Sequence, residues 1–320
     1  MLSMLFPIEN QKIMLLLCMM CAFFGTAFAL KYCTGFLPKD AGRDYAVDGK
    51  LTAGRPRGAG VLFIPIFAVS VLLFLPFSFE TLAYMALLVA TMLTGYLDDA
   101  SSVSWSEYKK GLLDLIIAVL TAVTVVNFGG SSLHFGLLGF DIVLPPVVYG
   151  FLAVVLVWAS INVTNCADGV DGLSSSVTIV TLLGIFGVSV MLQKVSTVAL
   201  SIFAYIMVLL AYLWKNAYPN QMMMGDAGSR AMGLFIAIAV MKTGAPVLYL
   251  LLALVLILDG GLGLVKVSLK RFLKISILKN TRTPLHDHVR KNLGWSDTQC
   301  VFRFVIIQAV ISACVVLLVR

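Results

Sequence analysis

Charge is what this chain has least of. Only 12% of its 320 residues are Asp, Glu, Lys or Arg, against about a quarter in a soluble domain. Hydrophobic residues make up 60%, and the mean hydropathy is +0.99. That excludes a soluble core carrying an anchor and leaves one membrane domain over residues 1–320. Cysteine and histidine are few and scattered, which excludes a structural zinc. His286 and His288 have no third His or Cys at ligand spacing, and the Cys18–Cys21 pair lies in an apolar helix. No D-x-D-x-D-G loop with a late Glu occurs, so an EF-hand is excluded. The net charge of +7 comes without a basic helix or an aromatic-interleaved patch. It implies no nucleic acid, and the basic residues beside apolar spans face anionic membrane lipid. The first span has only Lys12 beside Glu9 at its flank and no small-residue cleavage site, so it is read as a membrane helix rather than a signal peptide. Internal repeats and low-complexity tracts are missing as well.

What is present is an alternation of apolar spans with polar loops. Taking about 17–25 residues per crossing, ten spans are expected at 12–31, 59–79, 81–97, 112–128, 147–164, 173–192, 196–214, 229–244, 246–266 and 300–319. The fold class is therefore all-α, a polytopic membrane protein with about ten transmembrane helices. The Gly-rich stretch 128–146, ending in Pro145-Pro146, predicts a small hairpin or turn on the opposite face. Gly260, Gly261 and Gly263 predict a bend in the ninth span, beside Asp259. Of the 23 Lys and Arg residues, 19 fall in or beside the loops after spans one, three, five, seven and nine. This asymmetry places those loops in the cytoplasm and both termini outside.

The same loops carry nearly all the acidic motifs, and acids beside a bilayer mark chemistry more often than packing. Asp98 and Asp99 end the third span. Neighbouring helical residues point about 100° apart, so one carboxylate faces a metal or a proton while the other orients a cation. Asn162, Asn165, Asp168 and Asp171 recur every third residue, with Gly169 and Gly172 among them. Such a set suits ribose hydroxyls, a uracil edge or hydrated Mg²⁺, or else a ladder of Asx turns closing a loop. Asp226, within Gly225-Asp226-Ala227-Gly228-Ser229, opens the eighth span. Free N–H groups there attract phosphate, although an Asp can also simply cap the helix. His286 and His288 follow a run of basic residues and suit a diphosphate better than a metal.

These residues lie in GYLDD (95–99), NVTNCADGVDGL (162–173), NAYPNQMMMGDAGS (216–229) and TPLHDHVRKNLGWSD (283–297). Together they resemble the polyprenyl-phosphate N-acetylhexosamine-1-phosphate transferases, and within them the muramoyl-pentapeptide branch. The resemblance runs from Gly54 to Arg303. It implies an enzyme of the bacterial inner membrane, working on its cytoplasmic face as a homodimer. That enzyme moves phospho-MurNAc-pentapeptide from UDP-MurNAc-pentapeptide to undecaprenyl phosphate with Mg²⁺. It implies catalytic roles for Asp98, Asp99, Asp226 and His286, and metal ligation by Asp226 and Asp171. Substrate binding is implied for Asn162, Asn165, Asp168, Asp171, Asn216, Met223, His288 and Lys50. The chain departs from the family at Gly54-Arg55-Pro56-Arg57-Gly58-Ala59-Gly60, at Thr52, at Ser102, at Met223 where an aromatic is usual, and at Asp287 between the two histidines. Two alternatives stand beside this reading: the sibling enzyme using UDP-N-acetylglucosamine, and an ion-coupled transporter. The latter would hold its acids near the bilayer midplane on repeated halves.

Overall fold

The computed structural model describes residues 11–40, 42, 53–101, 103 and 105–320, so Lys50, Thr52 and Ser102 lie outside the described residues. In chain order the elements are α1 (Gln11–Tyr32), α2 (Gly60–Phe74), α3 (Phe79–Asp99), α4 (Glu107–Gly129), β1 (Ser132–Phe135), β2 (Phe140–Val143), α5 (Pro146–Ala167), α6 (Leu173–Met191), α7 (Thr197–Asn216) and α8 (Gly225–Lys242). A bent pair follows, α9 (Pro246–Leu252) and α10 (Leu254–Leu273), then α11 (Leu285–Leu293) and α12 (Asp297–Leu318). Serine starts several helices: Ser78, Ser106 and Ser196 each accept the N–H three residues on, and Ser296 forms a capping box with Gln299. Each satisfies an otherwise orphaned helix-end donor.

All ten expected spans coincide with helical segments. Among the described residues, seven helices are long and apolar enough to cross a membrane, or eight when the bent pair counts as one. The other two segments are α2, with 15 residues, and α8, which carries Asp226, Arg230 and Lys242. Helix α8 is the axis of the bundle: every residue from Ala227 to Met241 is buried. Its charges meet protein rather than lipid, Arg230 pairing with Asp114 of α4 and Lys242 with Glu80 of α3 at 2.6 Å. Phe235 stacks on Tyr205 of α7, with centroids 4.3 Å apart, and edge-on to Phe67 of α2.

Glycine sets how closely the backbones approach. A Cβ at Gly60 would lie 2.2 Å from the Gly228 nitrogen, and one at Gly95 2.4 Å from the Asp226 carbonyl. Small residues at helix contacts are the usual route to tight packing in membranes. The ends of the bundle separate accordingly. The end of α3, the starts of α4 and α8 and the loops after α5 and α7 gather at one end. The hairpin β1–β2 lies at the other, where the His134 N–H reaches the Gly244 carbonyl at 2.8 Å and the Arg320 N–H the Gly136 carbonyl at 2.8 Å.

The ninth segment corrects one expectation. Its 68° break falls at Ala253, not at the glycines. Gly260 instead sits in a π-helical turn, Ile257–Gly261, where a Cβ would come within 2.1 Å of the Val163 carbonyl of α5. The glycine is needed for contact with α5, and the π turn re-aims Asp259 inward.

Gly95→Ala should destabilise the protein by about 1–3 kcal/mol through overpacking. Gly111→Ala, with open space around its Cβ position, should be neutral or slightly stabilising. Thermal unfolding in detergent micelles, followed by intrinsic fluorescence, checks the pair.

Candidate active site

Three carboxylates from two helices converge on two cations. Asp98 and Asp99 leave the end of α3 in different directions, as the helical rotation requires. Asp98 accepts the Trp105 N–H at 2.8 Å and pairs with Lys110 of α4. Asp99 accepts Nε–H of Arg57 at 2.8 Å and, through its other oxygen, the Ala227 N–H at 3.1 Å. Asp226 lies between the same two cations, Arg57 Nη2 at 3.5 Å and Lys110 Nζ at 3.3 Å. Asp40 faces Arg57 Nη1, also at 3.5 Å. Among the described residues, these four carboxylates share the two cations Arg57 and Lys110. Of Asp99 and Asp226, the first has a side chain fully covered and the second one 13% exposed.

The start of α8 does bind an anion, and the anion is the protein's own. Met224 at the N-cap offers no side-chain cap, and the Asp99 carboxylate takes the place expected for phosphate. Gly225 is essential here: its φ is +66° and a Cβ would lie 2.2 Å from Asp99 Oδ2.

The three-residue spacing of the 162–171 motif fans its members out to different partners. Asn162 donates to Asp114 of α4 at 3.4 Å, and Asn165 to Ser229 of α8 at 3.1 Å. Asp168 accepts the Ser174 hydroxyl at the start of α6. Asp171 accepts the Asn220 N–H at 3.1 Å and its side-chain amide. Burial pushes the Asp171 carboxyl up from its usual range, and those two donors from Asn220 pull the other way. Asn216 ties the two motif loops together, accepting the Gly172 N–H at 2.9 Å and donating to the Met222 carbonyl at 3.0 Å. Met223, half-buried, pairs by main chain with the 54–60 loop, donating to the Pro56 carbonyl and accepting the Ala59 N–H.

His286 is buried, and Asp259 holds it twice, through the main-chain N–H at 2.7 Å and through Nδ1 at 2.9 Å. Its Nε2 faces Gly169, where a Cβ would intrude to 2.3 Å. His288 accepts the Arg282 N–H at 3.3 Å through Nδ1. The structure thus brings Asp98, Asp99 and Asp226 together, with Asn165 reaching Ser229 one turn into α8. It sets His286 against the 162–171 loop. Asp171 is held apart from the Asp226 cations, on Asn220.

Sequence reasoning missed Arg57, Asp40 and Asn220 as members of this site, and the pairing of Asp259 with His286. The one available signal was two arginines inside a glycine-rich loop. Of Lys109 and Lys110, only Lys110 reaches the carboxylates; Lys109 lies over the Trp105 ring.

Among the described residues no three His, Cys, Asp or Glu side chains group closely enough to hold a metal by themselves. Mg²⁺ needs fewer, since it usually takes one or two protein carboxylates and completes its octahedron with phosphate and water. The partly open Asp226 carboxylate, with Asp99 beside it on the same arginine, fits that pattern.

The profile of Glycosyl transferase family 4 matches residues 81–244, just over half of the chain, including Asp98, Asp99 and Asp226. Phospho-N-acetylmuramoyl-pentapeptide-transferase of Treponema pallidum (strain Nichols) is 38% identical over 95% of this chain and 89% of its own. Relatives of the same name from Clostridium acetobutylicum (31%, covering 81% and 83%) and Dictyoglomus thermophilum (29%, covering 91% and 93%) are also similar. An all-α integral membrane protein with these carboxylates at one end is a membrane-embedded phospho-sugar transferase. The chain belongs to glycosyl transferase family 4, and within it to the phospho-N-acetylmuramoyl-pentapeptide-transferases.

Asp259→Asn leaves an acceptor for one His286 N–H but turns an amide donor toward the other. Transfer activity should fall about tenfold or more, with the fold intact by thermal unfolding. A ¹⁵N spectrum of the labelled imidazole should show the loss of its fixed tautomer.

Proposed function

We propose that this protein transfers phospho-MurNAc-pentapeptide from UDP-MurNAc-pentapeptide to undecaprenyl phosphate, releasing UMP and forming lipid I for peptidoglycan synthesis. The observation that carries this reading is the convergence of Asp98, Asp99 and Asp226 at one end of the bundle, in a chain whose relatives share that printed name. The lysine and arginine asymmetry supports a bacterial inner-membrane protein with both termini outside and this end in the cytoplasm. The polar donor then arrives from water and the lipid acceptor from the bilayer. The working unit in this reading is a homodimer.

The reaction joins two anions. A phosphate oxygen of the lipid attacks the sugar-bearing phosphorus, and the bond from that phosphorus to the UMP oxygen breaks. The lipid phosphate is already an oxyanion at neutral pH, so direct attack needs positioning and charge neutralisation more than a strong base. Asp226 would hold Mg²⁺, which would supply that neutralisation. Asp98 keeps Lys110 in place and takes any residual proton of the acceptor. Asp99 anchors Arg57 and the start of α8. Asn162, Asn165, Asp168, Asp171, Asn216, Met223, His288 and Lys50 serve the donor, and the metal reading keeps Asp226 alone, since both oxygens of Asp171 are taken by Asn220. His286, its Nδ1 held by Asp259, offers Nε2 to the reacting phosphates.

The deciding assay supplies purified protein with undecaprenyl phosphate and Mg²⁺, offers either UDP-MurNAc-pentapeptide or UDP-GlcNAc, and measures released UMP. Release with the first donor alone is expected, and release with UDP-GlcNAc alone would replace this reading by the sibling activity. Asp226→Asn should lower turnover by at least about a hundredfold, while the thermal unfolding midpoint stays within a few degrees.

A further inference from the structure

Arg57 is the most heavily engaged cation of the site, yet only one of its contacts is tight. Its Nε–H donates at 2.8 Å to Asp99, a fully covered carboxylate, and that contact fixes the base of the fork. The two outer nitrogens are held loosely: Nη2 lies 3.5 Å from Asp226 and Nη1 3.5 Å from Asp40. The side chain is 22% exposed, so solvent reaches part of it. The loop that carries it is rigid. Gly58 reverses the chain at φ +82°, and main-chain hydrogen bonds from Met223 to Pro56 and from Ala59 to Met223 clamp both flanks. A planar fork with a fixed base and loosely held tips suits a phosphate, whose oxygens match its geometry. The carboxylate facing one tip, Asp226, is the one that fits a divalent cation.

We propose that Arg57 is a further substrate-binding residue with two successive partners: it neutralises Asp226 in the cation-free site, and donates to the diphosphate of the nucleotide once a divalent cation has taken Asp226. This rests on the transfer reading above and adds a residue to it. In the cation-free site Arg57 competes with the metal for one carboxylate. In the loaded site it adds to the grip on the nucleoside diphosphate. Removing it therefore moves the two affinities in opposite directions, a signature that loss of structure alone does not produce.

The experiment uses the full-length protein in detergent, with Mn²⁺ alone followed by electron paramagnetic resonance, and UDP at saturating Mn²⁺ followed by calorimetry. For Arg57→Gln, Mn²⁺ alone should bind about tenfold tighter and UDP about tenfold weaker. For Arg57→Lys, which keeps the charge but not the fork, Mn²⁺ should bind as in the wild type and UDP more weakly. Unchanged affinities in both variants, or a parallel weakening of Mn²⁺ and UDP, would overturn the role of Arg57 and leave the transfer reading standing. Should Arg57→Gln fail to fold, unaltered UDP binding by Arg57→Lys would be enough to overturn it. Wild-type protein that binds Mn²⁺ but no UDP would overturn the transfer reading itself, and the role of Arg57 with it.

Discussion

Backbone contact at the start of α8 underlies everything at this site. Gly60 and Gly95 bring α2 and α3 so close to residues 226–228 that a single methyl group would overlap main-chain atoms. At that distance Asp99, on α3, reaches the Ala227 N–H inside the first turn of α8. The carboxylate satisfies a helix-end donor and lies in the favourable field of the helix N-terminus. One contact thus joins the packing of three helices to the position of Asp226.

Concentrating carboxylates at one end of an apolar bundle is costly without compensation, because like charges repel and desolvation is only partly avoided. Arg57 and Lys110 supply that compensation from two sides of Asp226. They come from a loop before α2 and from the start of α4, so the cluster also ties elements that are distant in sequence. The arrangement has a functional reading, since a cation entering with a diphosphate finds both a carboxylate and basic side chains at hand.

A second polar link reaches the broken ninth segment. The π turn at Ile257–Gly261 aims Asp259 at His286, and His286 in turn closes against Gly169. The bent ninth segment is thereby connected to the loop bearing Asp168 and Asp171. The break at Ala253 and the turn at Asp259–Gly261 are tolerated because they are buried against protein.

Much of this was legible in the chain itself. Hydropathy located the ten helical segments, since an apolar stretch of that length has few alternatives in a bilayer. Spacing and motif picked out Asp98, Asp99, Asp226 and His286, and the rotation of about 100° per residue foretold that the two α3 carboxylates would serve different partners. The partners themselves were not legible. That Arg57 rather than another basic residue meets Asp99, that Lys110 and not Lys109 reaches Asp98, and that Asn220 covers Asp171 all depend on how separate helices and loops pack. The bend at Ala253 was equally hidden, because two of the glycines that predicted it, Gly260 and Gly261, are used for contact with α5. Periodicity along a chain reports which face of a helix is apolar; only packing decides which polar groups from separate helices come within a few ångströms, because that distance is set by the side chains missing at the crossing points.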